Sequence, residues 1–198
     1  MSGLDGRVRA LLEAGDALGA VGFALRALGP EVFGFVVGVL GKDADADEVF
    51  VVTSERLWRS LPTFRWHCSI RAWVYAIARH ELARFHAAVR PGETKRLPAA
   101  ELADAIAEIT TQWQTAPASV GRRQRLMALR AELSVDDRAL LVLRVDRQLS
   151  WHDIALAFVD EPATCHDGER AREAARLRRR FRLLRAMLAE RARAEGLL

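Results

Sequence analysis

Apolar residues recur along most of this chain at spacings of three and four, the period of a helix with one buried face. Leu4, Val8, Leu11, Leu12, Leu18, Leu25 and Leu28 form an interrupted stripe that predicts a helix over 4–28, weakened by Gly15, Gly19 and Gly22. Gly29-Pro30 reads as a break, with Pro30 opening a second helix over 31–40 that Gly41 closes. Asp43 or Asp45 is placed to cap a third helix running to about Leu61, where Pro62 removes a donor and stops it. A loop over 63–68 leads to Ser69, a capping residue for a long helix from Ile70 to about Val89. Ile70, Trp73, Val74, Ile77, Leu82 and Phe85 fall broadly on one side of it.

Pro91, Gly92, Pro98 and Pro117 mark 91–118 as a linker, with room for a short helix near 99–113. Beyond it the pattern predicts helices near 120–132, 135–146, 150–158 and 169–193. Ser134 with Asp137, and Ser150 with Asp153, have the spacing of N-terminal capping signals. The expected fold is all-α, with an N-terminal helical extension (1–28), a first small helical domain (29–90), the linker and a second helical domain (119–198).

Composition supports packed helices and excludes disorder throughout. Of 198 residues, 51% are hydrophobic and 28% charged, with Ala, Leu, Arg and Glu outweighing β-branched residues. The richest apolar run, Val32 to Leu40, is short of the ~20 residues of a membrane span, and the start lacks a signal-peptide pattern, so a cytoplasmic protein with no membrane partner is expected. Net charge is only +4, but its distribution is uneven: between Glu169 and Arg185 stand eight arginines and two acids.

Candidate chemistry is that of binding. His67, Cys68, Cys165 and His166 are the metal candidates, yet neither His-Cys pair has a second spaced pair in its own segment, so no metal or cofactor is expected. No nucleophile, base and orienting group form a recognisable set, and no glycine-rich phosphate loop is present, so the chain is not read as an enzyme. The stretch from Trp58 to Arg79 stands out: an aromatic loop with Phe64, Arg65 and Trp66 runs into a helix carrying Arg71, Arg79 and Arg84. Such a surface can stack on unpaired bases while cations follow the phosphates. Trp58, Phe64, Trp66 and Trp73 are equally able to form a helical core.

Asp47-Glu48, Trp58, Leu61-Pro62-Thr63-Phe64-Arg65 and Arg71-Ala72-Trp73-Val74-Tyr75-Ala76-Ile77-Ala78-Arg79 resemble, in order and spacing, the extracytoplasmic-function group of sigma-70 family sigma factors. The resemblance implies contact with −10 promoter DNA by Phe64, Arg65, Trp66, Ser69, Arg71, Trp73, Tyr75, Arg79, His80 and Arg84. It implies docking on core RNA polymerase through Asp47, Glu48, Val51, Glu55 and Trp58. Two departures stand out: Val51-Val52-Thr53-Ser54 replaces a polar family pattern, and His80 stands where Asn is common.

The second half carries Leu133 to Arg144, then Leu149-Ser150-Trp151-His152-Asp153-Ile154-Ala155, then the arginine-rich helix. A short capped helix followed by a basic one is the outline of a helix-turn-helix. Ala174, Leu177, Phe181, Leu184 and Leu188 define the buried face of the last helix; Arg172 and Arg179 point nearly opposite, with Arg176 and Arg182 on the flanks. This half resembles the sigma domain that reads the −35 element, which implies contacts from Ser150, Trp151, Arg172, Arg176, Arg179 and Arg182. Asp153 replaces the usual Glu, and 159–168 is longer than a tight turn. The expected function is that of a sigma factor whose partners are core RNA polymerase, promoter DNA and, as in many relatives, an anti-sigma protein. A helix-turn-helix regulator of duplex DNA and a helical interaction protein are the competing readings.

Overall fold

In the computed structural model, residues 3–41, 43–87, 132–159, 162 and 165–194 are described, and every regular element among them is helical. The chain is all-α as expected. Helix α1 (Gly3–Glu13) is followed by α2 (Ala17–Leu40) and α3 (Asp43–Ser60), a 3₁₀ turn (Leu61–Thr63) and α4 (Ile70–Ala87). In the second half come α5 (Val135–Leu141), which widens into a π-helical turn over Val142–Asp146, then α6 (Trp151–Phe158) and α7 (Asp167–Ala194). The expected linker and the helices near 99–113 and 120–132 lie outside the described residues.

Local signals set most of these boundaries. The Ser134 hydroxyl accepts from the Asp137 amide at 3.2 Å, and that of Ser150 from the Asp153 amide at 3.1 Å, so both expected caps are in place. Gly41 sits at φ 73° and its N–H donates to the Val37 carbonyl at 2.8 Å, the left-handed C-cap that glycine permits. Asp43 is the first residue of α3, so neither it nor Asp45 precedes the helix as a cap.

The expected break at Gly29-Pro30 is not there. The break falls instead at 14–16, where Gly15 takes φ 78° and the Asp16 carboxylate caps α2 through the Gly19 amide at 2.8 Å. Helix α2 runs on through Pro30. An interior proline costs about 3 kcal/mol, but it faces solvent here, while Leu25, Leu28, Val32 and Phe33 on either side of it are buried and keep the helix continuous. By length and composition α2 could cross a membrane. Most of its apolar residues are buried here, against α1, α3, α4 and α5, although Leu18 is exposed.

The two halves share one continuous core, extending from Val8 through Phe33, Phe50 and Tyr75 to Leu140, Phe158 and Leu184. Helix α4 lies between two layers: α2 and α3 on one side, α5 and α6 on the other. Helix α2 packs on α5 and on the π-helical turn that follows it, with Gly38 beside Val142. Arg138 reaches across to donate to the Val39 carbonyl at 2.8 Å.

Within the second half, Asp137 ties α5 to α7 by accepting from two Arg180 nitrogens, at 2.8 and 2.5 Å. These hydrogen bonds hold the Asp137 carboxyl below its ordinary pKa despite the opposing effect of burial. A depressed folded pKa contributes stability that is present above the unfolded value of about 4 and is lost as pH falls through the folded one. The melting temperature should therefore drop on acidification below about pH 4, and Asp137→Asn should flatten that part of the profile. An identical acid limb in the variant would remove Asp137 as its source.

Candidate nucleic-acid interface

The aromatic loop and α4 form the first candidate surface. Ser69 caps α4 by accepting from the Ala72 amide at 3.1 Å, and the Ile70 amide donates to Asp5 of α1 at 2.9 Å. Within the loop, Phe64 packs against Trp66 (centroids 5.0 Å apart) and Trp73 (5.3 Å). Trp66 adopts φ 60°, unusual for a bulky residue, and its ring carries the Arg9 guanidinium 4.6 Å from its centroid. Arg65 and His67, on either side of Trp66 in sequence, are exposed. They border a cavity of about 230 Å³ together with Thr63, Phe64, Cys68 and Trp73; Pro162 of the second half closes its far side.

Residues 24–90 match the family model of sigma-70 region 2. That segment is similar to region 2 of the sigma-70 family. Neither a curated protein nor a solved structure gives a match. Region 2 of this family is a non-enzymatic part of the transcription initiation machinery that binds core RNA polymerase and −10 promoter DNA. The match ends at 90 and so covers none of the second half, and it begins beyond α1.

Within this segment nine of the ten expected −10 residues divide into three groups, and Arg84 stands apart from them. Phe64, Arg65, Trp66 and Ser69 are in the loop, with Arg65 exposed. Trp73 and Tyr75 are buried: Tyr75 is fully enclosed with Phe35 edge-on at 5.5 Å, and burial pushes its phenol up to about 12. Arg71, Arg79 and His80 are engaged. Arg71 makes a two-point ion pair with Glu31 at 2.8 and 3.1 Å and donates to the Arg147 carbonyl at 3.2 Å. Arg79 pairs with Asp136 at 2.8 Å and lies 4.6 Å from the Phe158 ring centroid. His80 Nε2 donates to the Val159 carbonyl at 2.9 Å, which fixes its protonated nitrogen. Each of these three side chains therefore meets a group of the second half: the Arg147 carbonyl, Asp136 or the Val159 carbonyl.

Arg84 is exposed and lines, with Arg56, Arg59, Arg79 and His80, a larger cavity of about 700 Å³ along α3 and α4. Glu81 lies among these cations. Burial raises its pKa, and Arg56 at 2.5 Å only partly opposes that. The expected polymerase residues Asp47, Glu48, Val51, Glu55 and Trp58 share one face of α3 by helical spacing. Glu55 is buried against Arg59 at 2.5 Å. In the divergent stretch, the Thr53 and Ser54 hydroxyls donate back to the Val49 and Phe50 carbonyls at 2.7 and 2.8 Å, so these buried polar groups are satisfied within the helix.

In the second half, α6 and α7 pack on each other. Ser150 is used as the α6 cap, and Trp151 is half-buried with Phe181 at 5.4 Å and Arg144 at 5.0 Å. Arg176 is chelated by Glu173. Arg172, Arg179 and Arg182 are exposed and form no ion pair among the described residues. No group of three or more candidate metal ligands occurs among the described residues. Cys68 and Cys165 are free and meet in one small apolar cluster with Ala72, Leu156 and Val159, where burial pushes the Cys68 thiol up to about 12.

Sequence reading missed Asp5, Arg9, Asp136, Arg147 and Pro162. Each acts on region 2 from a distant part of the chain, and no local spacing pointed to them.

Proposed function

We propose that this protein is a sigma factor of the extracytoplasmic-function type that brings core RNA polymerase to specific promoters in the cytoplasm. Region 2 would bind the polymerase and capture the opened −10 strand. The α6–α7 pair would act as a helix-turn-helix on the −35 duplex. The observation that carries this reading is the region 2 match over 24–90, joined in one chain to a capped helix and an arginine-faced helix. Arg65 and His67 at the mouth of the 230 Å³ cavity are the groups best placed to meet a base and its phosphate. Phe64 packs on Trp66 and Trp73 and so ties that loop to α4, while Tyr75 packs on Phe35 in the core.

The test is reconstitution. Core RNA polymerase supplied with this chain should start transcription at a defined subset of a promoter library. Duplex binding without initiation would replace this reading with that of an ordinary helix-turn-helix regulator, and no binding in either assay with that of an interaction protein.

On this reading Arg71, Arg79 and His80 reach DNA only when the second half moves off α4. Asp136→Asn removes one tie from the second half and leaves α4 itself unaltered. Because Asp136 is half exposed, the pair is worth at most about 1 kcal/mol. Affinity of the free protein for a −10 single strand should rise by up to about fivefold, measured by fluorescence anisotropy. A fall in affinity would count against separation as a requirement.

A further inference from the structure

We infer that α1 is a positioning element for the −10 loop, acting through Asp5 and Arg9. The inference rests on the strand-capture reading above and assigns a role to a segment that the region 2 match, starting at residue 24, does not include.

Asp5 is 6% exposed, and its carboxylate accepts from the Ile70 amide at 2.9 Å across 65 positions of sequence. The first amides of a helix lack partners within it, and a carboxylate is favoured at that end of the dipole. Ser69 satisfies the Ala72 amide and Asp5 the Ile70 amide, so the exit of the loop is pinned jointly by the loop itself and by α1. Val8, one turn further along α1, is fully buried and anchors the helix.

Arg9 holds the middle of the loop. Its guanidinium covers the Trp66 ring at 4.6 Å, and Phe64 packs on the same indole at 5.0 Å. A tryptophan at φ 60° persists only where its surroundings over-determine it. That backbone conformation also sets where its neighbours point. Arg65 and His67 line the 230 Å³ cavity, whereas Trp66 does not. With Trp66 held against α1, the two flanking side chains are presented to the strand. Trp66 is then a support for the reading groups, not a platform for a base.

The experiment uses the full chain bound to core RNA polymerase, with a 2-aminopurine-labelled single strand taken from a −10 element found in the initiation assay. Asp5→Ala and Arg9→Ala should each weaken strand binding by about three- to tenfold while leaving affinity for the −35 duplex unchanged. Asp5→Asn keeps a carbonyl oxygen for the Ile70 amide and Arg9→Lys keeps a cation over the ring, so both should recover most of the binding. Hydrogen exchange at the Ile70 amide should quicken in Asp5→Ala and stay slow in Asp5→Asn. Arg9 is only half-buried, so its variants keep the test open if Asp5→Ala misfolds. Strand binding unchanged in Arg9→Ala, or lost in step with duplex binding and melting temperature, overturns the inference alone. Failure of the unaltered chain to bind the strand overturns the strand-capture reading, and the inference with it.

Discussion

Tyr75→Ala should cost about 3–5 kcal/mol of folding stability, by the measure of other large-to-small core replacements, and lower the melting temperature by roughly 10 °C. The residue sits in a stretch whose family resemblance implies contact with the −10 strand, yet its side chain is fully enclosed. Its ring meets Phe35 of α2 at 5.5 Å and 76°, an edge-to-face pair that adds to the area it buries. The guanidinium of Arg71 lies 5.6 Å from the same ring on its outer side. Removing the ring leaves a void between α2 and α4, the two helices that carry region 2's core. Tyr75→Phe keeps the ring and the edge-on contact and should stay within about 1.5 kcal/mol of the parent. The pair of variants separates two roles that sequence cannot. A structural Tyr75 predicts loss of melting temperature in Ala and retention in Phe. A Tyr75→Ala chain that melts normally but no longer captures the strand would show that the residue reaches DNA in a conformation other than this one.

Tyr75 also illustrates why the sequence was readable in part. A helix with one buried face shows its periodicity plainly, and α7 does: Ala174, Leu177, Phe181 and Leu184 are buried where the spacing put them. The caps at Ser134, Ser150 and Gly41 depend only on neighbours within three or four residues, and they too were legible. Helix α4 is covered on two sides. Ala72, Tyr75, Ala76 and Ala78 are therefore buried alongside the stripe of Ile70, Trp73, Val74 and Ile77, and no single-stripe reading describes it. The same holds for α2, where burial on most faces hides any polar phase and Pro30 was the only visible punctuation. Local rules give a proline in that position its cost, but tertiary burial of the flanking residues decided the outcome.

The site follows the same division. Its aromatic and basic residues stood together in sequence, and the order of motifs pointed to region 2. Which of them face outward depended on partners at long range: Glu31 on Arg71, Asp136 on Arg79, Val159 on His80. Four of the expected −10 contacts (Trp66, Arg71, Arg79 and His80) thus have their side chains committed to other groups of the protein in this conformation, while Arg65 stays exposed.

The second half gives the other large expected effect. Replacing both Arg172 and Arg179 by Ala should weaken binding to a −35 duplex by roughly ten- to a hundredfold near physiological salt. The two residues are seven apart, so they lie on one face of α7 separated by about 10 Å along its axis, directly opposite the buried stripe. Neither is tied up in an ion pair among the described residues, unlike Arg176 with Glu173 and Arg180 with Asp137. One turn beyond Arg179 on the same face, Leu183 is 66% exposed, an apolar side chain suited to a thymine methyl. If both arginines neutralise phosphates, the slope of log K against log salt should fall by about 1.8, close to 0.9 for each. Arg26 of α2 is exposed and remote from α7 in sequence and fold; Arg26→Ala should leave the slope where it was, which separates a local contact from a change in total charge. Arg180→Ala should instead lower the melting temperature, because its guanidinium holds Asp137 and α5 in place. An unchanged slope in the double variant would take the basic face of α7 off the DNA.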